Sequence, residues 1–250
     1  NLTNPLRIVF LSKGHDASLL RWNWTYLEAS LKDEGVEASS INLLGVKEKP
    51  NTDSDIMLFF RCTDPITLSF MKQYKTEGKF ILYLIDDYIN QPKCKYSHPT
   101  AEKTVHEHCN EADCVVTSTE RLSSKIPGKN HITRYSALDK ETINFLKTDY
   151  KTNSSNIGWL AGINRKEMDG FIVRFLRELN NRLLGNEHVK FICFGHHNFK
   201  NTERISIVEK EYIKPENWKD LYSLYKTLNF AVVINPLDEA DEFMHCKSAI

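Results

Sequence analysis

Short apolar runs alternate along this chain with segments whose apolar residues recur at helical spacing. The clearest example lies in residues 155–195, where the run IGWL leads into Gly162, a helical pattern follows, and the apolar run VKFICF comes last. A strand, a helix and a second strand in this order form a βαβ unit, whose two strands lie parallel in one sheet. The stretch therefore predicts a parallel sheet covered by helices.

The rest of the chain repeats this alternation. Continuous apolar runs typical of strands buried on both faces occupy residues 6–11, 55–61, 80–85, 114–117 and 230–234. Residues 36–43 are more polar and predict an edge strand, and residues 132–136 predict one more strand. Helical spacing or helix start signals predict helices over residues 18–34, 65–74, 100–112, 119–126 and 218–228. We expect an α/β protein with doubly wound, mostly parallel sheets.

A polar tract separates two such halves. It predicts an N-terminal domain over residues 1–138, a linker over residues 139–155 and a C-terminal domain over residues 156–250. The chain begins without methionine and ends in KSAI, which is typical of the first turn of a helix. We therefore expect a fragment whose second domain is incomplete at its C-terminal end.

Composition limits the partners that the chain can attract. Lysine plus arginine equals aspartate plus glutamate at 33 each, so no overall field draws the protein to nucleic acid. No apolar run of about 18 residues is present in the sequence, so we expect neither a signal-type leader nor a transmembrane segment, although a peripheral membrane contact stays open. The six cysteines form no CxxC pair, and Cys114 and Cys193 lie inside apolar runs. We expect free thiols and a cytoplasmic location.

An anion-binding turn is predicted at the start of the second domain. Gly162 lets the backbone approach a ligand, and Arg165 and Lys166 supply two cations just before the following helix. The free N–H groups and the dipole at the N-terminus of that helix also favour an anion. A phosphate would fit there. The alternative is an exposed helix N-terminus with solvated cations.

Candidate functional residues follow two strands of the first domain, where an open α/β sheet presents functional groups. Lys13, Gly14 and His15 follow the first strand, and Asp86 and Asp87 follow the strand at residues 80–85. A carboxylate or an imidazole can take a proton from a hydroxyl group, and one carboxyl of an Asp pair suits this role if the other charge raises its pKa. The Asp pair could equally cap the turn that follows.

The histidine pair at residues 196 and 197 follows the run VKFICF. Neither histidine has a second ligand at metal-binding spacing, so a surface loop is the favoured interpretation.

The order of the pieces resembles the two-domain GT-B glycosyltransferases, especially the GT4-like branch (glycosyl transferases group 1). The pieces are ADCVVTSTERLSSKI, the strand end YSALD, the opening IGWLAG with KEMD, the strand KFICFG, and YSLYKTLNFAVVINPL followed by EFMHCKSAI. The resemblance implies two Rossmann-like domains facing a cleft. It also implies hexosyl-type transfer from a nucleoside-diphosphate sugar to a hydroxyl acceptor (a glycan, a lipid-linked or another acceptor), with retention of configuration and with neither metal nor cofactor.

The resemblance also implies roles for particular residues. It places the loops Lys13-Gly14-His15 and Asp86-Asp87 on the acceptor side. Gly162 with Arg165 or Lys166 matches the glycine-rich loop and the basic residue that contact the donor diphosphate. Lys247 and Ser248 match the start of a second donor helix.

The sequence departs from the family pattern at that second donor helix. Cys246 stands where the family has its first glutamate, so Glu242 is the candidate for the ribose contact. The Asp86-Asp87 pair lacks the intervening residue of a metal-binding DxD motif.

Two other functions stay open. One is a non-catalytic GT-B-like domain that binds a nucleotide sugar or a glycan within a larger protein, and the other is a sugar-nucleotide epimerase.

Overall fold

The computed structural model describes residues 5–13, 24–86, 101–133, 140–147, 155–160, 169–195, 197–211, 213 and 218–232. The described residues up to 133 form one compact unit, and those from 140 onward form a second. Within the described residues, no helix is both long and apolar enough to cross a membrane.

The first unit is a six-stranded sheet with helices between the strands. Its elements are β1 (Arg7–Ser12), α1 (Trp24–Asp33), β2 (Glu37–Asn42), β3 (Ile56–Phe60), α2 (Pro65–Thr76), β4 (Phe80–Ile85), α3 (Ala101–Glu111), β5 (Cys114–Thr117), α4 (Glu120–Ser123) and β6 (His131–Thr133). The strand order is β2-β1-β3-β4-β5-β6, and every neighbouring pair is parallel. The predicted parallel α/β architecture is confirmed.

Apolar side chains cover both faces of this sheet. One core cluster contains Val9, Phe59 and Tyr83, and a second contains Phe10 and Leu84. Side chains of a strand alternate between the two faces, so strands that are buried on both faces must be apolar at every position. The runs at β1, β3 and β4 meet this demand, whereas β2 is half exposed and lies at the edge, as predicted.

Two local signals define helix α2. The Asp64 side chain caps its N-terminus by accepting hydrogen bonds from the backbone N–H groups of Ile66 and Thr67, and Pro65 occupies the first turn. Gly78, with φ at 78°, follows the end of the helix in the left-handed region that glycine tolerates. Helix α4 is shorter than predicted, because Thr119 serves as its N-cap and a turn begins at Ser124.

The second unit is a four-stranded parallel sheet. Its elements are α5 (Lys140–Lys147), β7 (Ser155–Trp159), α6 (Asp169–Arg182), β8 (Val189–Phe194), β9 (Ile205–Lys210), α7 (Trp218–Lys226) and β10 (Phe230–Ala231), with strand order β10-β7-β8-β9. The parallel β7–α6–β8 unit is the one that residues 155–195 predicted.

Two details of the second unit differ from the sequence interpretation. The predicted linker contains a helix, α5, and the ring of its Phe145 lies 4.1 Å from the ammonium group of Lys226. In α6, the helical spacing of the apolar residues from Phe171 to Leu183 predicts a buried Phe171, but Phe171 is half exposed and Ile172 is buried instead. The core around Phe191 determines which face of α6 is buried. Local periodicity carries no information about this core, so it does not predict the exact buried face.

Hydrogen bonds and close packing attach the connection between α7 and β10 to β7. The Asn156 side-chain amide donates to the carbonyl of Thr227 at 2.8 Å, and the backbone N–H of Asn156 donates to the Asn229 side chain at the same distance. Gly158 packs so closely on Leu228 that a Cβ atom would overlap the leucine side chain, with Cδ2 only 2.8 Å away. Close packing at Gly158 therefore holds Leu228, which follows α7, against the sheet.

We expect Gly158→Ala to lower the free energy of unfolding by about 1–3 kcal/mol, because the new methyl group overpacks the contact with Leu228. Adding Leu228→Ala should recover part of this loss, so the double variant should cost less than the sum of the single variants. Gly170→Ala is the matched control, since its Cβ meets open space. Chemical denaturation measures all four chains, and equal effects at Gly158 and Gly170 would contradict the packing argument.

Candidate functional site

In each sheet, later strands of the chain lie on both sides of the first strand, which makes that strand a topological switch point. In the first sheet, β2 lies on one side of β1 and β3 on the other; in the second, β8 and β10 flank β7 in the same way. Open α/β sheets bind ligands outside the carboxyl ends of the strands at such switch points. The two candidate sites are therefore the carboxyl ends of β1 and β3 and those of β7 and β10.

An ion pair bridges the switch point of the first sheet. Lys13 directly follows β1, and its Nζ lies 2.9 Å from Oδ2 of Asp64, which follows β3 at the start of α2. Oδ2 of Asp64 also accepts a hydrogen bond from the Thr67 hydroxyl at 3.0 Å. Both charged side chains are partly exposed, so they can reach a ligand at this edge.

The surroundings of Asp64 keep its carboxylate charged. Burial by itself would raise the pKa of this carboxyl, but the hydrogen bonds from Lys13 and Thr67 outweigh burial and lower the pKa below its ordinary value. Asp64 is therefore a hydrogen-bond acceptor at neutral pH. The neighbouring Cys62 thiol is inert, because burial and the Asp64 charge raise its pKa to about 12.

A second ion pair joins the next two strands. Arg61 follows β3, and its guanidinium Nε donates to Oδ1 of Asp86, which follows β4. The backbone carbonyl of Asp86 accepts a hydrogen bond from the Ser118 hydroxyl at 2.7 Å, beyond the end of β5. Asp86 is buried, so its carboxylate is held in place by a cation and its backbone by the next strand.

Arg61 adopts a backbone conformation that residues with a side chain rarely take. Its φ is +49°, in the left-handed region. Its backbone N–H donates to the Leu84 carbonyl at 3.0 Å, so the strained residue is anchored to β4 at both its main chain and its side chain. Strained residues of this kind cluster at functional sites. The strain therefore adds Arg61 to the candidates at this edge.

Two of the residues that the sequence nominated are described, and both lie at this edge. Lys13 belongs to the pair across the switch point, and Asp86 to the pair with Arg61. The other nominated residues lie outside the described residues: Gly14, His15, Asp87, Gly162, Arg165, Lys166, Glu242, Lys247 and Ser248.

Sequence reasoning missed Asp64 and Arg61. The sequence Asp64-Pro65 carries a helix-start signal that marks Asp64 as an N-cap, and this signal placed the helix without nominating its cap. Nothing local distinguishes Arg61, because its conformation and its partner Asp86 depend on the pairing of β3 with β4.

The second switch point lies between β7 and β10. In the sequence, residues 161–168 follow β7 and residues 233–250 follow β10, and these two segments hold the residues nominated for donor binding. The described part of the chain contains no cluster of three or more histidine, cysteine, aspartate or glutamate side chains suited to a metal ion.

No protein-family model matches the chain, and no curated protein matches it. Solved structures do match. The S. aureus MnaA–UDP co-structure is 11% identical over 96% of this chain and 78% of its own, with a TM-score of 0.52. The fold is GT-B.

Two further structures give lower scores. One, from Listeria monocytogenes and provisionally assigned as a UDP-N-acetylglucosamine 2-epimerase, is 10% identical over 83% of this chain and 70% of its own, with a TM-score of 0.47. The other, the glycotransferase of kitacinnamycin, is 10% identical over 97% of this chain and 84% of its own, with a TM-score of 0.46. These similarities add nothing to the GT-B assignment, and none of the three selects the GT4-like branch.

The Asp64 site predicts two separable effects on stability. Asp64→Ala removes the cap of α2 and the ion pair with Lys13, and we expect it to lower the free energy of unfolding by about 1–2 kcal/mol. Asp64→Asn retains a good cap and loses only a partly exposed ion pair, so its cost should be below about 1 kcal/mol.

The cost of Asp64→Asn should depend on pH. A lowered pKa in the folded state stabilises the protein at pH values above the ordinary value of 3.8, and this contribution is lost as the pH falls through the folded value. Urea unfolding should therefore show the full difference from wild type at pH 7 and a shrinking difference below 3.8. A difference that stays constant down to the acid limit would contradict the lowered pKa.

The pairing of Asp86 with Arg61 predicts that Asp86 supports the fold. Asp86→Asn should destabilise the protein by on the order of 3 kcal/mol, because it leaves a partly buried guanidinium without its carboxylate. Arg61→Gln in the same chain removes that cation, so the double variant should cost less than the sum of the two single variants. Thermal and urea unfolding measure this coupling. Wild-type stability in Asp86→Asn would show that the pair does not hold the edge.

Proposed function

We propose that the chain binds a nucleoside-diphosphate sugar through its second unit and transfers the sugar to a hydroxyl acceptor bound by its first unit. The observation that supports this most is the fold similarity to a UDP co-structure over 96% of the chain. A switch point in each sheet supports it as well, since transfer needs two binding sites.

The proposed donor site lies beyond the carboxyl ends of β7 and β10. Gly162 would let the backbone approach the diphosphate, while Arg165 and Lys166 would bind its oxygens. When the bond between the sugar and the phosphate breaks, negative charge builds up on the diphosphate. Fixed cations and helix N–H groups stabilise that charge, so this chemistry needs neither a metal ion nor a cofactor.

A second group of proposed donor residues follows β10. Lys247 and Ser248 would contact the phosphates, and Glu242 would accept hydrogen bonds from the ribose hydroxyls. A lysine near a helix N-terminus is unfavourable to the helix dipole unless an anion lies beside it. With these assignments, we propose more specifically that the protein is a GT4-like hexosyltransferase that retains the anomeric configuration.

The proposed acceptor site is the edge formed by β1, β3 and β4. There Lys13 and Asp64 offer a hydrogen-bond donor and an acceptor to the hydroxyl groups of a glycan or of a lipid-linked acceptor. Because Asp86 already holds Arg61, we assign the removal of the acceptor proton to Asp87 or His15. Gly14 would leave room for the acceptor beside Lys13.

Two alternatives share the same donor site. A sugar-nucleotide epimerase and a non-catalytic GT-B-like domain that binds a nucleotide sugar would also hold that ligand at the second unit, whereas the other kind of non-catalytic domain would bind a glycan. The fold by itself does not separate them from a transferase, because binding of the nucleoside diphosphate is common to the transferase, the epimerase and the nucleotide-sugar-binding domain. They differ in what happens to the sugar.

We also propose a cytoplasmic location. The four described cysteines, Cys62, Cys109, Cys114 and Cys193, are buried free thiols, as expected in a reducing compartment.

A panel of nucleotide sugars tests the proposed function. We expect calorimetry to detect binding of at least one nucleoside diphosphate, and incubation with the matching nucleotide sugar to give slow donor hydrolysis without acceptor. Interconversion of two sugars would instead identify an epimerase, and binding without any turnover would identify a binding domain. Failure to bind UDP, GDP and ADP would overturn the transferase, the epimerase and the nucleotide-sugar-binding domain, and a glycan-binding domain would be the alternative that remains.

The same experiment includes Lys247→Ala. Loss of one charge-assisted contact, about 1.5–3 kcal/mol, should weaken nucleoside-diphosphate affinity about ten- to a hundredfold and leave the melting temperature unchanged. Lys103→Ala is the matched control, since Lys103 is an exposed lysine on α3 of the first unit. Equal affinities for the two variants, or a collapse in the stability of Lys247→Ala, would remove Lys247 from the site.

A further inference from the structure

His197 is buried, contrary to the surface loop that the sequence favoured. It follows β8 after Gly195, and only 8% of its surface is exposed. Its ring stacks on Phe199, with centroids 5.1 Å apart and planes tilted by 10°, and it packs against Trp159 at 4.9 Å. The sequence did not reveal this position, because the residues that cover the ring come from β7 and from the segment after β8.

Both ring nitrogens of His197 face oxygen acceptors. Nδ1 lies 2.8 Å from Oδ1 of Asp169, and Nε2 lies 2.6 Å from the Phe194 carbonyl oxygen. Both ring nitrogens are therefore already engaged by oxygen atoms of the protein. The backbone N–H of His197 donates to the Glu209 carboxylate on β9 at 3.2 Å, so two carboxylates surround this histidine.

The contacts of His197 join the two ends of one chain segment. Trp159 is the last residue of β7, and Asp169 is the first residue of α6. The imidazole touches both of them, so one ring fixes the point where the chain leaves β7 and the point where it enters α6. The intervening segment contains Gly162, Arg165 and Lys166.

We propose that His197 is a positioning residue for the diphosphate of the donor, acting through the segment between β7 and α6. This inference rests on the proposed function. Its buried ring is occupied at both nitrogens, which leaves it no atom with which to contact a ligand. Fixing both ends of a binding segment in advance lowers the conformational entropy that the segment loses when a ligand binds. The expected consequence is a gain in affinity for the diphosphate group specifically.

His197→Phe tests this role, because phenylalanine retains the aromatic packing against Trp159 and Phe199 but lacks both ring nitrogens. We expect its affinity for the best-bound of UDP, GDP and ADP to fall about ten- to a hundredfold, which corresponds to about 1.4–2.8 kcal/mol. Affinity for the corresponding free nucleoside should change less than twofold. That difference separates positioning of the diphosphate segment from a general loss of structure.

His108→Phe is the matched control. His108 is also fully buried, with its ring nitrogens 3.1 Å from the Thr67 hydroxyl and 2.6 Å from the Thr104 carbonyl oxygen, but it lies in the first unit. We expect it to lower the melting temperature without changing nucleoside-diphosphate affinity. Asp169→Asn carries the test if His197→Phe does not fold, because it leaves the ring packing intact and weakens only the contact to α6.

The outcomes separate the two proposals. If the wild-type protein binds none of the three nucleoside diphosphates, the proposed function fails. If it binds one of them and either His197→Phe or Asp169→Asn binds it as tightly, the donor site stands and the role of His197 is refuted. An equal loss of nucleoside and nucleoside-diphosphate affinity would also refute it, since that result indicates general structural damage.

Discussion

Parallel pairing of the strands is the constraint on which both units depend. Parallel neighbours require a crossover connection for every strand, and the crossover helices cover the faces of the sheet. The strands must then be apolar on both faces, which the cores around Val9 and Phe10 satisfy in the first unit. The same pairing gathers the carboxyl ends of all strands at one edge, so polar residues that follow different strands become neighbours there.

Charge compensation organises the described edge of the first sheet. Lys13 pairs with Asp64 across the switch point, and Arg61 pairs with Asp86 across the next strand pair. Each pair holds a long, flexible cation in one position. The acidic residue of each pair is held in turn by a further segment: α2 binds the carboxylate of Asp64, and Ser118, just after β5, binds the backbone carbonyl of Asp86. The edge thus offers fixed donors and acceptors, which suits a ligand rich in hydroxyl groups.

Side-chain packing and hydrogen bonds both hold the segments of the second unit in place. Gly158 brings Leu228 against β7, while Asn156 ties the segment before β10 to the same strand. His197 connects β7, α6, β8 and β9 through a single residue. These contacts surround the point from which the proposed diphosphate segment departs, so its ends are held by the fold before any ligand binds.

The sequence by itself determined the alternation of strands and helices in the first unit, the parallel α/β class and the edge position of β2, but it predicted a linker where α5 lies. These follow from periodicity, apolar runs and helix-start signals, all of which act over a few residues along the chain. It also placed Lys13 and Asp86 at strand ends, where functional groups are expected. The resemblance to GT-B proteins agreed with the fold, although the finer assignment to the GT4-like branch stays a proposal.

Only the tertiary structure decided which side chains meet. Lys13 and Asp64 lie 51 positions apart in the sequence, and Arg61 and Asp86 lie 25 positions apart. Their contacts depend on which strands are neighbours and on the register between them, and no local pattern encodes either. For the same reason, the sequence predicted a surface loop at His197, whereas in the structure its buried ring contacts Trp159 of β7 and Asp169 of α6. Local chemistry specifies the elements, whereas the site requires the long-range packing that brings the elements together.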